Sequence, residues 1–69
     1  MKTTIKGKTP NNWTDGDWTV RFVYESFFIA VNTVANSGEQ AIRYAMNEIP
    51  VIEAEPLEIE AELMGTYRY

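Results

Sequence analysis

Residues 57–69 read LEIEAELMGTYRY, and the period of that run decides the fold. Leu57, Ile59, Ala61, Leu63, Gly65, Tyr67 and Tyr69 fall on one side of an extended chain; Glu58, Glu60, Glu62, Met64, Thr66 and Arg68 fall on the other. Successive side chains of a strand point to opposite faces, so this alternation predicts a long C-terminal strand with one buried and one acidic face. A strand leaves its backbone groups to be paired elsewhere.

Immediately upstream, VIEAEP forms a short extended linker between Pro50 and Pro56. Before that, Ser37 is a helix N-cap candidate, and Gln40 three residues later completes a capping-box pattern. Ala41, Ile42, Ala45, Met46 and Ile49 recur at helical spacing and make an apolar stripe. A helix over 37–48 is the reading, ended by Pro50, which forces Ile49 out of the helical region. Further back, Trp18, Val20, Phe22 and Tyr24 alternate with Thr19, Arg21 and Val23, and FFIAVNTVA at 27–35 is a second, more apolar run. As one strand, 18–35 would reach about 60 Å, against a radius of gyration of about 11 Å for such a domain. The chain must therefore turn, with Glu25-Ser26 as the polar break and Asn32-Thr33 as the other candidate.

At the N-terminus, KTTIK (2–6) is a short edge strand with Lys2, Thr4 and Lys6 on one face, lysine being a common edge guard. Residues 7–17 read as a loop, with Pro10, Asn11, Asn12 and the turn dipeptide Asp15-Gly16. The expected fold is α+β: a small single domain over 1–69, its three- or four-stranded, mostly antiparallel sheet carrying one helix on one face, in β-ββ-α-β order. A straight strand over 57–69 would reach about 43 Å in a globule about 28 Å across. Either it bends at a bulge near Gly65, or its end pairs with another chain and makes a homodimer through the C-terminal strand.

Composition limits the chemistry. The chain has 69 residues, ten acids against six bases, and neither histidine nor cysteine. Disulfides and thiolate metal sites are excluded, and the usual near-neutral base and nucleophile are missing. No phosphate-cradling or nucleophile-elbow motif occurs, and Asp15-Gly16-Asp17 lacks the further ligands of a calcium loop. The expectation is a non-enzymatic protein with no cofactor and no metal. The longest apolar run, Phe27 to Val31, is far short of the ~20 residues that span a bilayer. The N-terminus has charge without a following apolar stretch, so a soluble cytoplasmic protein without membrane association is expected.

The net charge of −4 is concentrated at one end: residues 1–36 sum to +1, 37–49 to −1 and 50–69 to −4. Glu58, Glu60 and Glu62 repeat about every 6.6 Å along one strand face, each neighbouring pair repelling by roughly 0.6 kcal/mol in water. Such a row resembles a row of phosphates and would steer the chain to a partner with a basic or nucleic-acid-binding surface. The competing readings are internal cancellation by Lys2 and Lys6 across strands or a plainly solvated face. Trp13, Tyr67 and Tyr69 are the candidate anchors. Direct nucleic-acid binding through Lys2, Lys6, Lys8 and Trp13 is disfavoured by the net acidity. In style, small acidic cysteine-free chains of this kind look like virus-encoded accessory proteins, which implies binding to a host protein. The functional expectation is a small acidic inhibitor or modulator of a partner protein; the alternative is an assembly subunit that self-associates through an edge strand.

Overall fold

Trp18, Val20, Phe22 and Tyr24, alternate residues of one run, are all buried. The computed structural model describes residues 1–10, 14–49 and 55–66. Its elements are β1 (Lys2–Lys6), β2 (Gly16–Val23), β3 (Phe28–Ala35), α1 (Gly38–Met46) and β4 (Glu58–Thr66). They form one four-stranded sheet in the order β1-β4-β2-β3. β2 runs antiparallel to both β3 and β4, while β1 is parallel to β4. The expected α+β domain with one helix on its sheet is what the chain forms, with one parallel pair at an edge.

The core lies between the sheet and α1. Trp18, Val20, Phe22, Ile59 and Ala61 meet Ala41 and Ala45 of the helix, with Ile29, Val31, Ile42, Ile49 and Leu63 packed around them. The indole of Trp18 donates from Nε1 to the Ala35 carbonyl at 3.1 Å, which satisfies its one polar atom inside the core. The β2–β3 hairpin turns at Glu25-Ser26, where the Tyr24 N–H donates to Phe27 O at 2.8 Å and the two rings stack at 4.7 Å. Asn32 and Thr33 lie inside β3.

The helix starts where its cap signal places it. Ser37 Oγ accepts from the Gln40 N–H at 3.1 Å. The reciprocal bond is displaced by one residue, Gln40 Oε1 accepting from the N–H of Asn36 at 2.9 Å instead of that of Ser37. The buried side of α1 is Gly38, Ala41 and Ala45, so the expected stripe is corrected at Met46, which is 56% exposed. Small residues hold this face close to the sheet: a Cβ on Gly38 would lie 2.4 Å from Ile5 Cγ2.

Three further expectations are corrected. Asp15-Gly16 does not close a turn, because Gly16 and Asp17 already belong to β2, paired with Ala35 and Val34 on one side and Thr66 and Gly65 on the other. The glycine serves close approach: a Cβ there would lie 2.5 Å from Leu63 Cδ1. The irregularity expected at Gly65 falls one residue earlier. Trp18 pairs with Leu63 and Asp17 with Gly65, so Met64 is the extra residue of a β-bulge. The bulge reverses the alternation, and Gly65 leaves the face shared by Ile59, Ala61 and Leu63. The spherical size estimate also fails. The radius of gyration is 12.1 Å, but the molecule measures 40 × 19 × 15 Å, drawn out enough to hold a long strand.

Candidate interaction surface

With α1 covering one face, the other face of the sheet is open. Strand alternation and register place on it Lys2, Thr4 and Lys6 of β1, Glu58, Glu60 and Glu62 of β4, Asp17, Thr19, Arg21 and Val23 of β2, and Phe28, Ala30, Asn32 and Val34 of β3. The glutamates do share one face, as their spacing requires. Their charge is largely answered from within. Arg21 Nη1 reaches Glu60 Oε1 at 2.9 Å, Arg21 Nη2 reaches Glu62 Oε1 at 3.5 Å, and Lys6 Nζ reaches Glu60 Oε2 at 3.5 Å. Glu60, its side chain 21% exposed, therefore bridges two cations. Glu58 sits beside Lys2 in register but forms no ion pair among the described residues.

Cross-strand cancellation by lysine is thus half of the arrangement, supplied by Lys6. The other half is Arg21, legible in the sequence only as a polar-face residue of its strand. Trp13, Tyr67 and Tyr69, the aromatic anchors read from the sequence, lie outside the described residues. The three lysines do not gather into one patch, because Lys8 lines a cleft of about 640 Å³ with Ile5, Thr9, Ser37 and Gly38 on the helix side. Thr9, itself buried, fastens that loop by donating from Oγ1 to Asn36 O at 2.6 Å. Among the described residues, no group of three or more acidic side chains is arranged to hold a metal ion, and no helix is long and apolar enough to cross a membrane.

The residues that sequence reasoning missed lie at the sheet's other edge. β1 and β3 are the outer strands, and they are built differently. β1, KTTIK, carries a lysine at each end. β3, FIAVNTVA, is eight residues long and contains no charge, proline or glycine. Because the Tyr24 N–H bonds to Phe27 O, the register makes Ile29, Val31, Thr33 and Ala35 the residues that exchange hydrogen bonds with β2. The N–H and C=O groups of Phe28, Ala30, Asn32 and Val34 consequently point outward, and no described strand pairs with them. Phe28 is 63% exposed and, with Phe27 and Val23, lines a shallow apolar hollow at the hairpin end. The signal was present as a missing one: an amphipathic strand normally shows charge on its outer face, and 28–35 has none.

No family model matches the chain, and neither a curated protein nor a solved structure is significantly similar to it.

Proposed function

We propose that the chain is a non-enzymatic protein-binding module that acts by strand addition at β3, a partner's extended segment pairing with the outward backbone groups of Phe28, Ala30, Asn32 and Val34. The observation that carries this is the uncharged eight-residue outer strand with its exposed Phe28. Unpaired strand edges template pairing with another chain, and proteins commonly blunt them with lysine, proline or bulges. β1 has such a guard and β3 does not. Backbone bonds would supply affinity, and the side chains of the open face would supply selection. By occupying a partner's segment the module would serve as an inhibitor or modulator.

Electrostatic steering toward a basic surface is the weaker reading, since Glu60 and Glu62 are engaged by Arg21 and Lys6. One affinity-capture experiment separates the two, using the chain, its Ala30→Pro variant and its Glu58→Lys/Glu60→Lys/Glu62→Lys variant as baits. Ala30→Pro removes an outward N–H while leaving the β2–β3 bonds in place. Loss of a specific partner with Ala30→Pro alone supports strand addition. Loss with the glutamate reversal alone supports steering and rejects the edge.

A further inference from the structure

We infer that the segment seated on β3 is the β3 of a second copy, giving an antiparallel twofold dimer with one continuous eight-stranded sheet. This rests on the strand-addition reading and names its occupant.

The outer edge of β3 is complementary to itself. A twofold antiparallel pairing that keeps open-face residues opposite open-face residues must be centred on a residue, because opposed side chains share a face. Centring on Val31 sets Phe28 against Val34 of the second copy and Ala30 against Asn32, each pair occurring twice. All four outward-pointing residues are then used, and each pair exchanges two bonds, about eight in total. Centring on Ala30 strands Val34 without an opposite strand residue, and centring on Asn32 strands Phe28. The Val31 register also brings the two exposed apolar side chains of the edge, Phe28 and Val34, directly together. On the helix face it sets Ile29 against Thr33 and Val31 against its own copy.

Charge favours this edge for self-pairing. A strand with a net charge meets the same charge in its copy. Two antiparallel β1 strands centred on Thr4 would set Lys2 of each copy against Lys6 of the other, whereas β3 brings no charge at all. Interface size is adequate as well. Interfaces carry about one hydrogen bond per 100–200 Å², so about eight bonds correspond to roughly 800–1,600 Å², a range that reaches the size of stable complexes. The C-terminal strand, by contrast, is not a free edge over Glu58–Glu62, where β1 and β2 flank it on both sides.

The test needs no other protein and uses the chain alone: mass by light scattering from about 1 mM down to about 1 μM, with backbone amide exchange followed at each concentration. The expected result is a dimer at high concentration in which the amides of Phe28, Ala30, Asn32 and Val34 are protected, protection fading on dilution. Ala30→Pro deletes one bond from each half of the interface and should weaken association about ten- to a hundredfold. Asn32→Lys installs the guard that β1 has and should weaken it similarly, while both variants keep the monomer's circular dichroism. A monomer at all concentrations with the four amides unprotected overturns the inference, yet leaves the protein-binding reading to be judged by the capture experiment. A dimer that survives both variants, with those amides still exchanging freely, overturns it too, by placing the interface elsewhere.

Discussion

Replacing Arg21 with methionine separates the two accounts of the acidic stripe. Methionine keeps much of the apolar stem's packing and removes the guanidinium. Two ion pairs disappear, to Glu60 at 2.9 Å and to Glu62 at 3.5 Å. Exposed pairs contribute about 0.2–1 kcal/mol, and the shorter one, with Glu60 only 21% exposed, belongs at the upper end. Repulsion between adjacent glutamates, roughly 0.6 kcal/mol per pair in water, is then answered by Lys6 alone. The two lost pairs together put the expected destabilisation at about 1–2 kcal/mol. Urea melts should be compared at 0.1 M and 1 M NaCl, where the screening length falls from about 10 Å to about 3 Å. Since that drops below the ~6.6 Å spacing of the glutamates, roughly half of the loss should vanish at high salt. A penalty under about 0.5 kcal/mol, or one that salt leaves unchanged, refutes the placement of Arg21 as the organiser of this face. The same variant frees the stripe, so a chain that worked by electrostatic steering would gain affinity for a basic partner.

Three further outcomes follow from the packing. Gly38→Ala should lose stability by about 1 kcal/mol despite the better helix propensity of alanine, because the new Cβ meets the stiff β-branch of Ile5. Combined with Ile5→Ala the same change should turn stabilising, and a favourable effect in the parent chain would reject the close contact. Deleting Met64 should be tolerated, since it regularises pairing between Leu63 opposite Trp18 and Gly65 opposite Asp17; deleting Ala61 should unfold the chain, because it moves Glu60 or Glu62 into the buried slot opposite Val20, and proteolysis distinguishes the two. Phe22→Ala should cost about 3–5 kcal/mol out of a total of roughly 3–10 kcal/mol for a domain of this length, leaving little or no thermal transition by circular dichroism.

Alternation carried most of what was legible in the sequence. Trp18, Val20, Phe22 and Tyr24, and opposite them Ile59, Ala61 and Leu63, occupy the face their spacing assigns, because a strand's side chains have no other freedom. The Ser37 cap was equally local and equally readable. What escaped notice depended on neighbours distant in sequence. Gly16 has the composition of a turn, and only the approach of Leu63 reveals why a glycine stands there in a strand. Gly65 looked like the bulge, but the extra residue is Met64, a matter of register between two strands that neither encodes alone. Arg21 became the partner of Glu60 and Glu62 only once β2 and β4 were adjacent. The exposure of β3 is likewise non-local, since whether an uncharged run lies in the middle of a sheet or at its rim is decided by strand order.

The place of β4 between β1 and β2 sets an order for assembly. Of the described strands it is the last in the chain, yet it occupies an interior slot. Until it arrives, the β2–β3 hairpin has two bare flanks, β1 has no strand to pair with, and α1 lacks the part of its floor that Ile59 and Ala61 provide. The hairpin and α1, which packs on β2 and β3 as well as on β4, need only residues 16–46; β1 waits on one long-range insertion, the kind of step that makes folding slow. A nascent chain stopped before Glu58 would thus hold the residues of the hairpin and the helix but lack the strand that joins β1 to them. The strand behaves as a bolt that locks pieces already made, and a separate peptide spanning 56–66 is expected to slide home in its place.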